Sequence, residues 1–216
     1  WNILGKLGKV IYDKDSYELR LESYLTNVDV KIIQLGYKDK PLFVSGNNNF
    51  KAELDFIYNN EFRNNVIQNI CKKFNNNSLI LVNHLAHGDA LQTTLSKIHD
   101  KKVYFVKGEV DVEERDKIKK IMETNNDVIC IAMSSIFSTG INIKNIHMIM
   151  FASGGKSFIR TIQSIGRGLR LHKSKNKLII IDLVDKLKYG MRHSDKRKEI
   201  YNSEKINYTI AEIVEK

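Results

Sequence analysis

Residues 79–106, LILVNHLAHGDALQTTLSKIHDKKVYFV, decide the fold class. Leu79 to Val82 is an apolar run too short for a helix, and it ends at the polar pair Asn83 and His84. That is the pattern of a strand buried on both faces. A helical pattern follows from about Gly88 to Ile98, and Val103 to Val106 repeats the strand-like run. The alternation continues, with strand-like runs at Val128 to Ala132, Ile146 to Phe151 and Leu178 to Leu183 and helical patterns at Val112 to Met122 and Ser157 to Leu169. Strand, helix, strand with short connections predicts right-handed crossovers and a parallel sheet covered by helices on both faces, an α/β fold. Ligands of such sheets bind at the carboxyl ends of the strands, so the residues after each run become the site candidates.

Upstream, Glu53 to Phe74 carries Leu54, Ile57, Tyr58, Phe62, Val66, Ile70 and Phe74 at helical spacing, which predicts one amphipathic helix or a close pair. Residues 1–46 hold short alternating runs such as Val28 to Leu35, broken by Gly36, Pro41 and Gly46, and are expected to be a leader or inter-domain segment. The domain proper is expected over 47–216. Its tail from Lys186 is charged, and Ile200, Tyr201, Ile206, Tyr208, Ile210 and Ile213 suggest helix that packs back. A start at Trp1 with no cap or strand signal suggests a piece of a longer polypeptide.

The chain has 216 residues with 42% hydrophobic and 28% charged side chains, which suits one sizeable folded domain with an appendage. Lys and Arg outnumber Asp and Glu by 35 to 25, and the net charge of +10 favours a polyanionic partner such as nucleic acid, although a lysine-rich solvated surface has the same balance. Cys71 and Cys130 are far apart among apolar or helical neighbours, so neither a disulfide framework nor a metal site is expected. A reducing cytosol fits them. No run of about 18 apolar residues and no signal-peptide layout occurs.

The strongest chemical signal is the run from Gln163 to Arg170, QSIGRGLR, on a predicted helix. Arg167 and Arg170 are three apart and Gln163 lies one turn before Arg167, so all three leave one helical face. Two guanidinium forks and an amide suit a triphosphate, because a planar fork stays charged and holds phosphate oxygens in pairs. Gly166 and Gly168 beside them, each costing about 1 kcal/mol in a helix interior, suggest close approach by another backbone or a ligand. Gly154-Gly155-Lys156-Ser157 imitates the end of a phosphate-binding loop, but Met150 stands where the full pattern needs its first glycine. Asp182 and Asp185, at the end of the last run, are expected to cap or pair locally.

These segments together resemble the second, RecA-like motor domain of superfamily 2 helicases. Gln163 to Arg170 resembles motif VI, Leu79 to Asn83 resembles motif IV, and Gly108 to Arg115 (GEVDVEER) resembles the family's glycine, spacer and Glu-Arg signature. Ser134 to Asn142 (SSIFSTGIN) resembles motif V. Four such segments in the family's order, over 77–183, make the match specific. Within the superfamily the chain looks most like a phage helicase of recombination and repair, on the strength of LGKVIY at 7–12 as well.

The resemblance implies ATP with Mg²⁺ as cofactor, DNA as partner, branched or at junctions, and a second RecA-like domain on the same polypeptide. It implies Arg170 as the arginine finger on the γ-phosphate, Arg167 beside it, and Gln163 monitoring the same phosphate. Gly140 would let backbone approach the nucleotide. Asn142 stands where many relatives have Asp near the ribose, so that contact would lack charge. Asn83, His84, Gly108, Ser134 and Thr139 would line the nucleic-acid track. Ser134 replaces a common Thr, and Thr139 a common Arg of RNA-directed relatives. The Mg²⁺ carboxylates and the phosphate-binding loop would belong to the N-terminal domain, so this chain alone is expected not to hydrolyse ATP. A non-catalytic nucleic-acid-binding module on the same fold, or an RNA helicase, remains the alternative. A phage protein of this kind would work in the host cytoplasm.

Overall fold

The computed structural model describes residues 17–18, 26–41, 49–107, 112–134, 145–153 and 177–216. The expected apolar runs become parallel strands: β2 (Ser78–Val82), β3 (Lys102–Val106), β4 (Val128–Met133), β5 (Met148–Phe151) and β6 (Lys177–Asp185). Every residue of β2 and β5 is buried, as continuous apolar sequence requires of a strand covered on both faces. Two further strands, β1 (Asn27–Gly36) and β7 (Tyr208–Val214), complete a sheet of order β3-β4-β2-β5-β6-β1-β7. All its pairings are parallel.

The helices divide between the two faces. On one, α1 (Asn49–Asn59), α2 (Glu61–Lys73) and α3 (Leu85–Leu95) set Ile57, Val66, Ile67, Leu91 and Leu95 against Ile80, Ile129 and Met150. On the other, α4 (Val112–Thr124) and α5 (Lys188–Ser203) set Ile118, Met122 and Tyr201 against Leu79, Leu81, Phe151 and Ile180. The predicted pattern over 53–74 is therefore a pair of helices. Asn60 separates them, its side chain accepting a hydrogen bond from Arg63 N as the N-cap of α2. Gly88 lets α3 lie close to β3, since a Cβ there would stand 2.1 Å from the Phe105 ring.

Two expectations change place. Val28 to Leu35, grouped by composition with the leader, is an interior strand between β6 and β7, so the sheet uses residues on both sides of position 46. The tail contains one helix, α5, but Tyr208, Ile210 and Ile213 are in strand β7 instead of helix. The cause is tertiary: β1 has an edge free beside β6, and a β-rich segment completes it.

Candidate nucleic-acid interface

The order β4-β2-β5 sets three strand ends side by side. Val82 is in register with Met133 and Leu81 with Phe151, so the residues that follow, Asn83, Ser134 and Ser153, stand level at the carboxyl edge of the sheet. They are joined. Ser134 Oγ donates to Asn83 Oδ1 at 2.5 Å, and the Asn83 backbone N–H donates to Ser153 Oγ at 3.0 Å. On the far side of Ser153, His87 Nδ1 lies 3.1 Å from the same hydroxyl oxygen. His87 is 1% exposed and stacks on Tyr58 with ring centroids 4.4 Å apart. Tyr58 also lies 5.2 Å from the ring of His84, which is exposed.

His84 is the residue before α3, with no side-chain cap bond and no acidic residue in the first turn. The N–H groups that start α3 thus add positive potential at the edge where Asn83 sits. The layer beneath is uncharged at neutral pH. Burial, with the Arg63 and His84 charges adding to it, holds His87 well below the usual imidazole range, and burial pushes the Tyr58 hydroxyl up to about 12. A row of hydroxyl, amide and backbone donors on a neutral support can position phosphates without reading bases.

Asp185 and Asp182 do pair, but across the fold. Asp185 accepts from Arg63 Nε at 2.8 Å and from the Tyr37 hydroxyl, while Asp182 accepts from Arg197 Nε at 2.9 Å and Tyr201 Oη at 3.0 Å. Glu53 of α1 accepts from the backbone N–H groups of Tyr189 and Gly190 at 3.0 and 2.7 Å, holding the start of α5. Cys71 and Cys130 are free and buried, and burial pushes both thiols up to about 12.

Of the sequence-predicted residues, Asn83 and Ser134 are brought into direct contact and His84 stands on the same edge. Gly108, Thr139, Gly140, Asn142, Gln163, Arg167 and Arg170 lie outside the described residues, as does the phosphate-loop imitation at 154–157. Sequence reading missed Ser153, His87 and Tyr58. Ser153 carried a usable signal, since it stands two residues past the strand-like run Ile146 to Phe151, just as Ser134 stands two past Val128 to Ala132.

The helicase conserved C-terminal domain family matches residues 61–172, just over half of the chain, and this span contains Asn83, Ser134 and Ser153. The chain belongs to that family. Across its length this helicase C-terminal domain is 30% identical to the ATP-dependent DNA helicase uvsW of Enterobacteria phage T4, over 226 residues that make up 96% of this chain and 45% of that protein. It is 25% identical to putative helicase 22 of Sulfolobus islandicus filamentous virus, covering 94% of this chain and 38% of that protein. The chain spans under half the length of both viral relatives. The crystal structure of T4 UvsW superposes with a TM-score of 0.71 at 31% identity, over 87% of this chain and 42% of that one. The C-terminal domain of the DEAD-box protein Dbp5 shares the fold, with a TM-score of 0.54 at 14% identity over 88% of this chain and 92% of that one. The α/β parallel sheet expected from the alternating runs, and its RecA-like form expected from the resemblance, are the fold of this family.

Proposed function

We propose that the chain is the C-terminal motor half of an ATP-dependent DNA helicase or translocase, acting in unwinding, branch migration or fork processing. The observation that carries the reading is the row Asn83, Ser134 and Ser153 at the carboxyl edge, inside the span matched by the helicase family. Two of its three members are residues that the family resemblance assigns to the nucleic-acid track. Similarity to a protein named as an ATP-dependent DNA helicase favours DNA over RNA.

ATP, with Mg²⁺ held by an N-terminal RecA-like domain, supplies the phosphoanhydride whose hydrolysis drives stepping. Arg170 would supply the arginine finger on the γ-phosphate, with Arg167 and Gln163 on the same phosphate, while Gly140 would let backbone approach the nucleotide and Asn142 would hydrogen-bond near the ribose. On the track, Asn83, His84, Gly108, Ser134 and Thr139 position phosphates. Closure and release of the cleft would move that track along a strand. The partners are DNA with a branch or junction and the N-terminal domain of the same polypeptide, in the host cytoplasm. Among the described residues, no helix is long and apolar enough to cross a membrane.

The purified chain should bind DNA weakly and with strong salt dependence and should show no ATP turnover above background. Steady turnover in a contaminant-controlled preparation would overturn the divided site. Absence of DNA binding at low salt would remove the track.

A further inference from the structure

Helix α5 starts where β6 ends, on the same carboxyl edge as Asn83 and Ser134, and runs back along the face that carries α4. Its outer side carries Lys188, Arg192 and Lys196, each four residues from the next, so the three cations form one stripe. At the helical rise the stripe is about 12 Å long. Lys188 and Arg192 are exposed and Lys196 is half-buried.

The arrangement works against the helix itself. Like charges four apart repel, and Lys188 and Arg192 stand in the first turns, where the positive end of the helix dipole disfavours cations. The first turn holds no acidic residue of its own, and the carboxylate at the helix start, Glu53, accepts from the N–H groups of Tyr189 and Gly190. Neighbouring lysines are neutralised: Lys186 pairs with Glu212 at 2.6 Å and Lys198 with Asp195 at 3.1 Å. Among the described residues no carboxylate lies within ion-pair distance of the three stripe cations, and the Lys188 ammonium lies over the Tyr189 ring, 5.7 Å from its centroid. On the inner face of the same helix Arg197 pairs with Asp182, and the first N–H groups are held by Glu53.

We propose that Lys188, Arg192 and Lys196 form a second contact for the nucleic-acid backbone, extending the strand-end track around the edge of the sheet and along α5. The inference rests on the nucleic-acid reading of that edge. Continuity with the edge selects nucleic acid over an acidic protein, and the length of the stripe matches the axial rise of about three to four nucleotides at about 3.4 Å each.

The test is the salt dependence of binding to a blunt, mixed-sequence duplex DNA, followed by fluorescence anisotropy. Wild type is compared with K188Q/R192Q/K196Q, with R192Q alone, and with the charge-matched control K72Q/K73Q/K97Q on exposed lysines elsewhere. Each lost phosphate contact lowers the slope of log K against log salt by about 0.9. The triple stripe variant should therefore lose about 2 to 3 from the slope and R192Q about 1, while the control stays within about 0.3 of wild type. Melting temperatures equal to wild type establish that the variants fold, and R192Q carries the test if the triple variant does not. An unchanged slope in the stripe variants, or an equal loss in the control, overturns the proposal while leaving the strand-end track standing. Wild type that fails to bind the duplex at low salt overturns both. Polyglutamate bound as tightly as the duplex, and released by the same substitutions, would assign the stripe to an acidic protein instead.

Discussion

Asp185 closes β6 and Asn83 follows β2, so both stand at the carboxyl edge of one sheet, yet their surroundings differ in kind. Around Asp185 and Asp182 every charge meets an opposite charge: Arg63 and Arg197 are 0% and 2% exposed and each is held by a carboxylate at 2.8 Å. Around Asn83 the groups are neutral, and they reach one another through single hydroxyls. A buried guanidinium and carboxylate neutralise each other and present no accessible charge to a ligand, so the β6 end acts as a clasp between sheet, α2 and α5. The β2 and β4 ends keep the Asn83 amide and the Ser134 hydroxyl half-buried, above a buried Ser153 and an uncharged base, which suits a surface that holds a phosphate and then lets it go.

The largest effect expected from this contrast is on stability. Asp185→Asn leaves the Arg63 guanidinium buried without its counter-charge and should cost about 3 to 5 kcal/mol, read as a lowered urea midpoint with unchanged slope. Asp182→Asn should act similarly through Arg197. A loss below about 1 kcal/mol for both, in the range of an exposed pair, would erase the distinction between the two regions.

A smaller effect comes from the neutral side. His87 is held below its ordinary value in the folded chain, while in the unfolded chain it titrates near about 6.5. Above that pH the histidine contributes no pH dependence. Below it the unfolded chain binds a proton that the folded chain refuses, so stability falls by up to about 1.4 kcal/mol per pH unit until the folded value is reached. His87→Gln should flatten that part of the stability profile between pH 6.5 and 5, and an unchanged profile would show that His87 is not the buried neutral group under the track.

The parts of the fold that could be read in sequence are those where local pattern and tertiary environment agree. Leu79 to Val82 and Val128 to Ala132 are apolar throughout and buried on both faces, so their runs have one reading. The tail does not agree with itself: Ile206, Ile210 and Ile213 are spaced by four and three as in a helix, and only the open edge of β1 makes the segment a strand. Val28 to Leu35 reads as a strand by alternation, but nothing local tells that β6 will be its neighbour. At the site, Asn83 and Ser134 are legible because polar residues after strands in a parallel sheet have a standard place. His87 and Tyr58 are not, because a histidine and a tyrosine at helical spacing look like core, and only the packing of α1 on α3 stacks them. The partners of Asp182 and Asp185 were hidden for the same reason, Arg63 being 122 residues from Asp185.

The measurement that bears most directly on the motor assignment is ATP turnover by Arg170→Ala in the chain joined to the proposed N-terminal RecA-like domain. A finger acts on charge that develops in the transition state, so DNA-stimulated hydrolysis should fall by roughly a thousandfold or more while DNA affinity and melting temperature stay near wild type. Arg170→Lys should be nearly as damaging, because a point charge does not reproduce the fork. Wild-type turnover in the alanine variant would remove Arg170 from the nucleotide site. Lost turnover accompanied by a stability loss of about 3 to 5 kcal/mol would make it a buried structural arginine like Arg63 and contradict the account.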